Sequence, residues 1–365
     1  MVVVFSANSF KHLYQLRLDV MLHFKSRGYK LYAIAGDDEY KKKINEFGIL
    51  TKTVKIEPNS KNILADLSLL NQYYSIFREI QPDIIYNSTI KANIFGSIVS
   101  RYLNIKTINN ISGLGTAFLK SFILKIFIIF LYKISQKKVF KIYFQNNTDL
   151  ILFKKLNIVN SSQSRLIPGS GVNTCKLKRD NRLLPSNKIK YLFLGRLLKE
   201  KGINELLLAA NSHLKNNIAT FYIAGDYNKN NSSSIDFNNF IQKCDENKSI
   251  KYLGYIDNVK SLLGGVDCLI LPSYREGLSN VILEALSMEI PVLASNVPGC
   301  KELIKDGYNG FLFEPRSASS IKIALNKFSN LEVEEIVTMG KRGRKFVEKN
   351  YSIDKLINLY ELDLL

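Results

Sequence analysis

Two successive runs of short apolar segments alternating with helical patterns predict an α/β protein: two doubly wound, Rossmann-like domains whose parallel sheets face a cleft. A polar stretch punctuated by Gly and Pro separates the runs and supplies the second observation. The third is size and composition. With 365 residues, 46 % of them hydrophobic and 23 % charged, the chain can fill two cores and does not read as disordered.

In the first run, residues 2–5, 31–35, 51–56, 84–86, 107–111, 142–144 and 165–167 read as strands. Helical patterns at 13–26, 40–47, 63–80, 91–102 and 119–135 lie between them. The second run has strands at 191–194, 220–224, 250–253, 268–271, 292–294 and 310–313, with helices at 203–212, 280–286 and 317–328. The expected domains are therefore 1–170 and 189–350, joined by a linker at 171–188. A C-terminal helix at 351–365 is placed to pack back on the N-terminal domain. Inter-domain clefts of such folds are where ligands bind.

Charge is uneven. The net charge is +19, of which residues 1–170 hold 24 Lys and Arg against 10 Asp and Glu, and residues 171–365 hold 27 against 22. A lysine-rich genome accounts for part of the excess but not for the asymmetry, so the first half is expected to face something anionic. Cys175, Cys244, Cys268 and Cys300 are scattered, and three histidines complete the soft ligands, which excludes a zinc site and fits a reducing compartment. Met1 runs directly into an apolar strand, so no secretory leader is expected. The apolar segment 118–135 is interrupted by Lys120, Lys125 and Lys133 and is too short to span a bilayer.

Two stretches can carry chemistry. In Ser273-Tyr-Arg-Glu276-Gly277-Leu278-Ser279-Asn280-Val-Ile-Leu-Glu284, two carboxylates flank the start of a helix that follows a buried strand. Amides at a helix N-terminus suit an anion, and ionised carboxylates accept paired hydrogen bonds from vicinal diols. A surface glutamate plus a helix-dipole glutamate is the alternative. In Gly195-Arg196-Leu-Leu-Lys-Glu-Lys201-Gly202, two cations on a strand-to-helix loop can neutralise a diphosphate, or simply be solvated.

Taken in order, these stretches with Ile223-Ala224-Gly225, Tyr252-Leu253-Gly254-Tyr255, Val297-Pro298-Gly299…Glu302 and Asn309-Gly310-Phe311 resemble the retaining GT-B glycosyltransferases of family 4. The resemblance covers essentially the whole second half. It implies that Glu276 approaches the transferred sugar, that Arg196 and Lys201 hold the donor diphosphate, and that Glu284 binds the nucleotide ribose. Gly277, Leu278, Ser279, Asn280, Gly225 and Tyr255 would complete the donor site, with no metal ion required.

In the first half, Leu13-Tyr-Gln-Leu-Arg17, Gly28-Tyr29, Asp38-Glu39-Tyr40, Thr89-Ile-Lys91-Ala92 and Ser112-Gly-Leu-Gly115 resemble a bacterial subgroup. It includes N-acetylgalactosaminyltransferases acting on undecaprenyl-diphospho-bacillosamine, and enzymes of O-antigen and capsule synthesis. This implies a UDP-sugar donor, a lipid-linked saccharide acceptor held by the first domain, and a peripheral position on the cytoplasmic face of the inner membrane. Asn8, Ser9, Arg17, Lys91 and Ser112 fall on the acceptor or sugar side. The chain departs from the family in three places. Ser112 stands where many members have histidine and the subgroup has threonine, Ser6-Ala-Asn8-Ser9-Phe10 replaces a Gly-rich loop, and Glu289 replaces a common glycine.

The segment 118–135, followed by Lys137, Lys138 and Lys141, is apolar, aromatic and basic, the pattern of a helix lying in an anionic headgroup plane. A core helix with lysines emerging at one edge is the competing reading. Two other functions fit less: a nucleotide-sugar epimerase on the same scaffold, and a basic nucleic-acid binder, for which no recognition module is present.

Overall fold

The computed structural model describes residues 1–56, 63–113, 122–179, 188–215 and 219–364. The chain divides into two compact units, one of Met1–Gly171 with Ile353–Leu365 and one of Val172–Ser352.

In the first unit, seven strands among the described residues form one parallel sheet: β1 (Val2–Ser9), β2 (Lys30–Gly36), β3 (Leu50–Thr53), β4 (Ile84–Ser88), β5 (Lys106–Ile111), β6 (Lys141–Phe144) and β7 (Ser164–Leu166), in the order β3-β2-β1-β4-β5-β6-β7. The central strands are buried on both faces, as continuous apolar runs such as Val3-Val4-Phe5 require. Helices α1 (Phe10–Ser26) and α2 (Tyr40–Glu46) cover one face. Helices α3 (Ile63–Ile80), α4 (Ser97–Tyr102), α5 (Phe122–Ser135) and α6 (Asn147–Lys155) cover the other.

Local chemistry sets these boundaries. Helix α1 begins three residues earlier than its apolar pattern suggests, because the Ser9 hydroxyl accepts the His12 amide at 3.2 Å and caps it. The expected helix 91–102 opens instead as a π turn, Ala92–Gly96, before α4. Buried side-chain amides bond the backbone of this turn. The Asn93 carbonyl accepts from Asn109 Nδ2 at 3.3 Å and from Gln136 Nε2 at 3.2 Å, and Asn93 Nδ2 donates to the Asn110 carbonyl at 2.9 Å. Strand β3 is shorter than the expected 51–56. Residues 118–121 of the apolar segment, Gly115, and 180–187 of the expected linker lie outside the described residues.

The second unit holds a six-stranded parallel sheet: β8 (Ile189–Leu194), β9 (Ala219–Ala224), β10 (Ile250–Tyr252), β11 (Cys268–Leu271), β12 (Val292–Ser295) and β13 (Gly310–Phe313), ordered β10-β9-β8-β11-β12-β13. Its helices are α7 (Ile203–His213), α8 (Phe237–Asp245), α9 (Val259–Gly264), α10 (Asn280–Ser287), α11 (Ala318–Ser329) and α12 (Val333–Tyr351). One apolar core runs through the unit. Helix α12 is highly charged, yet it seats a narrow stripe of Ile336, Met339, Gly340, Gly343 and Val347. A Cβ at Gly343 would stand 2.7 Å from Leu286 of α10, so the two helices approach closely there.

The last helix, α13 (Ile353–Leu364), belongs to the first unit. Tyr360 stacks on Tyr86 of β4 with centroids 4.9 Å apart. Asp363 accepts from the Tyr143 hydroxyl at 2.7 Å and pairs with Arg165 at 2.8 Å. Leu356, Tyr360 and Leu364 are buried against the α1 face, each stabilising the unit by about 1.5–3 kcal/mol.

Candidate active site

In each sheet the strand order reverses once, and the carboxyl ends at such a reversal diverge to leave a crevice. The reversal in the second sheet lies between β8 and β11. The loop after β8 carries Arg196 and Lys201, and the loop after β11 carries Glu276, so topology brings together residues separated by more than seventy positions. Lys201 Nζ donates to Glu276 Oε1 at 2.5 Å, with both side chains largely shielded (18 % and 14 % exposed). The exposed Arg196 guanidinium has no partner among the described residues.

Glu276 is held by backbone as well as by charge. Its amide donates to the Pro298 carbonyl at 3.2 Å, and the Ser279 amide donates to the Gly299 carbonyl at 3.0 Å. Gly299 has φ +84°, and a Cβ there would fall 2.7 Å from the Glu276 backbone and from its Cβ. Only glycine permits this approach. The Gly299 amide in turn donates to Glu302 Oε2 at 2.7 Å. The Val297-Pro298-Gly299…Glu302 stretch is thus a clasp on the Glu276 loop, a role its spacing did not disclose. On the other side, Tyr274 is tied to the β8 loop and to the start of α7, its amide to the Glu200 carbonyl at 2.9 Å and its hydroxyl to Glu205 Oε1 at 2.8 Å.

The Ser279 hydroxyl caps α10 by accepting the Ile282 amide. With the Ser279 amide engaged, the amides of Leu278 and Asn280 are left without a partner among the described residues. Asn280 Oδ1 is buried and likewise unpartnered among them. Gly277 lies between Glu276 and these amides. One turn on, Glu284 shares the half-buried stripe of α10 with Asn280. Burial without a compensating cation raises its carboxyl to about 7.

Gly225 closes β9 beside this site. Its amide donates to the Gly254 carbonyl at 2.8 Å, and a Cβ would lie 1.8 Å from the Gly195 carbonyl, which keeps the β8 and β9 ends in contact. Tyr255 follows β10, two strands from Arg196, and is exposed, with its hydroxyl 3.4 Å from Asp257.

The reversal in the first sheet lies between β1 and β4. There the Asn8 amide donates to Thr89 Oγ1 at 3.1 Å, and Thr89 Oγ1 donates to Asn8 Oδ1 at 2.7 Å. Thr89 has φ +76°, a strained conformation for a β-branched residue, and strain of this kind concentrates at functional positions. Nothing in the residue type or spacing of Thr89 signals this conformation. Ser9 caps α1 at the same edge, and Ser112, half-buried, follows the adjacent β5. Lys91 Nζ pairs with Asp66 Oδ1 at 2.6 Å. Arg17 does not join this group. It lies about 12 Å further along α1, on the helix face turned to the core, where Nη1 donates to the Leu16 carbonyl at 2.6 Å.

Known proteins agree with this architecture. The Anabaena protein HepE, solved with UDP and glucose, superposes with a TM-score of 0.83 over 100 % of this chain and 99 % of its own, at 17 % identity. Sucrose-phosphate synthase from Thermosynechococcus elongatus gives 0.83 at 16 % identity, covering 100 % and 98 %. Two parallel-sheet α/β units with a site at the sheet reversal define a GT-B architecture. The "Glycosyl transferases group 1" family model matches residues 176–346 and the "Glycosyl transferase 4-like" model matches residues 3–146. The chain belongs to this family of glycosyltransferases. Among curated relatives, the N,N'-diacetylbacillosaminyl-diphospho-undecaprenol alpha-1,3-N-acetylgalactosaminyltransferase of Campylobacter jejuni is 25 % identical over 86 % of each chain. The UDP-Gal:alpha-D-GlcNAc-diphosphoundecaprenol alpha-1,3-galactosyltransferase of Escherichia coli is 25 % identical over 82 % of this chain and 80 % of its own. The Staphylococcus aureus capsular polysaccharide glycosyltransferase CapM is 26 % identical over 80 % and 78 %.

Proposed function

We propose that this protein transfers a sugar, with retention of anomeric configuration, from a UDP-sugar to a hydroxyl of an undecaprenyl-diphosphate-linked saccharide during bacterial surface-polysaccharide synthesis. The observation that carries the reading is the Lys201–Glu276 pair at the reversal of the second sheet, with Arg196, unpaired among the described residues, on the same loop as Lys201 and with Gly299 packed against Glu276. Relatives named for undecaprenyl-linked acceptors, and a structural neighbour holding UDP and glucose, support the substrate classes.

The chemistry follows from the groups present. Arg196 and Lys201 neutralise the donor diphosphate, and the Leu278 and Asn280 amides add donors at the α10 terminus. As the bond from the anomeric carbon to the phosphate oxygen breaks, negative charge grows on the diphosphate and positive charge on the sugar. Glu276, released from Lys201 as that amine turns to phosphate, stabilises the sugar side. The acceptor oxygen bonds to the anomeric carbon, and its proton passes to the departing phosphate oxygen. Glu284 accepts the ribose diol, Gly225 and Tyr255 line the nucleotide side, and the first unit, through Asn8, Ser9 and Ser112, holds the acceptor. The enzyme works as a peripheral protein on the cytoplasmic face of the membrane, which it meets through 118–141.

The test is thermal-shift binding and transfer across a panel of UDP- and GDP-sugars. A shift with one UDP-sugar that is lost in Glu284→Ala, and transfer of that sugar only when a lipid-linked acceptor is supplied, are expected. Conversion of the sugar nucleotide without acceptor would instead make the protein an epimerase, and no shift with any nucleotide sugar would remove the donor reading.

A further inference from the structure

The charge asymmetry of the first unit resolves further on the fold. Residues 1–83 hold twelve Lys and Arg against nine acids, whereas residues 84–171 hold twelve against one, Asp149. That acid is fully buried and bonded to Asn146, so β4 to β7 and their helices present no carboxylate of their own to solvent. Arg165 is neutralised by Asp363 of α13 and Lys91 by Asp66 of α3, which removes these two from the free charge.

On this acid-poor side, α5 is two-faced. Ile128, Tyr132 and Ser135 are buried, while Ile126, Phe127 and Phe130 are 52 %, 49 % and 56 % exposed. On α5, Ile126, Phe130 and Lys133 succeed one another at i, i+4 and i+7, a single stripe that is apolar at its start and basic at its end, and Lys137 and Lys138 follow in the turn after Ser135. The stripe runs into a groove of ≈ 680 Å³ bounded by Phe130, Lys133, Lys137 and Lys138 on one side and by the 157–163 connection on the other. Lys138 has φ +65°, and none of the three lysines has a partner among the described residues. Asn160 and Gln163 add polar wall. The groove opens at the amino ends of β6 and β7, the opposite edge from Asn8 and Ser112.

We propose that this groove is a seat for the phosphate headgroup of an anionic bilayer lipid, with Phe127, Phe130 and Ile126 entering the acyl boundary beside it. The inference rests on the membrane-associated reading above and gives that contact a location, a binding site separate from the catalytic edge. Charge complementarity commits it to lipid: three unpaired ammonium groups attract an anionic leaflet, and the adjacent apolar stripe gives a bilayer, but no free phosphate ion, something to bury.

Flotation of the full chain with vesicles of phosphatidylcholine alone, or mixed with phosphatidylglycerol, tests it. Binding to the mixed vesicles that weakens with salt is expected. Lys133→Gln/Lys137→Gln/Lys138→Gln should lower partitioning about 100-fold, at roughly fivefold per lysine. Phe127→Ser/Phe130→Ser should lower it at least tenfold without changing the salt dependence. Equal binding to both vesicle types, or a lysine variant that floats like the wild type, would overturn the proposal. UDP-induced thermal shifts in the same variants separate the two readings. Shifts kept while flotation is lost support the seat. Flotation kept in a protein that never responds to nucleotide sinks the donor assignment alone.

Discussion

Replacing Glu284 by Gln should make the protein more stable above neutral pH while impairing nucleotide binding. Burial raises this carboxyl from 4.5 to about 7. In the interval between those values the folded state holds a proton that the unfolded state has released, so stability due to this group is full below about 4.5, declines as pH rises, and levels off above about 7. A difference of roughly 2.5 units corresponds to about 3 kcal/mol, and partial contact with water reduces this to about 1–3 kcal/mol. For a unit of this size that is a difference in Tm of about 2–10 °C between the variant and the wild type at pH 8, shrinking to almost nothing near pH 4. Scanning both proteins by calorimetry from about pH 4 to about pH 8 isolates this contribution, because every other titrating group cancels in the difference. Parallel profiles would refute the reasoning and mean that Glu284 is ionised and compensated in the folded state. With UDP present, wild-type affinity should rise with pH across the same interval, since the diol binds the ionised carboxylate, whereas the variant should show no such dependence.

Gly299→Ala sets a methyl group 2.7 Å from Glu276 in a backbone region that costs an L-residue about 1–2 kcal/mol, so transfer should fall at least tenfold with Tm lowered by only a few degrees; unchanged kcat/KM would show that the clasp does not position Glu276. Lys201→Met leaves a largely shielded carboxylate unpaired and should cost about 1–3 kcal/mol in a denaturant titration. Adding Glu276→Gln should restore that stability but not transfer, and additive losses in the double variant would contradict the pairing. Tyr360→Ala removes a ring stacked on Tyr86 and should destabilise the first unit by about 3–5 kcal/mol, read as an earlier unfolding transition with nucleotide binding at low temperature intact.

The strands were legible in the sequence because parallel sheets buried on both faces demand unbroken apolar runs, and Val2–Ser9 and Cys268–Leu271 supply them. Helices with weak apolar signatures were not. Helix α12 dilutes its stripe of Ile336, Met339 and Val347 with Gly340 and Gly343 in a highly charged sequence, and α8 carries its apolar face of Phe237, Phe240, Ile241 and Cys244 over only nine residues after a polar Asn- and Ser-rich stretch. The π turn at Ala92–Gly96 is bonded at the Asn93 carbonyl by the amides of Asn109 on β5 and of Gln136, and has no local signal. At the site, Arg196, Lys201, Glu276 and Glu284 were selected by residue type and order. Their pairing was invisible because Lys201 and Glu276 meet only through the strand order, and Gly299 and Thr89 act through backbone geometry that one-dimensional spacing does not encode.

Helix α13 returns to the first sheet after the whole second unit has intervened, and a single parallel bridge, Val172 to Ser352, pins the outgoing and returning segments side by side. During synthesis the α1 face therefore waits for Leu356 and Tyr360 while more than 180 residues are added, roughly 10–40 s at ribosomal speed. Over that interval an apolar surface of the nascent first unit is open to chaperones and to aggregation, and its completion is timed by the second unit rather than by its own sequence. The order in which the two units mature is thus written into the connectivity, and a single cut in the backbone between them cannot set either one free.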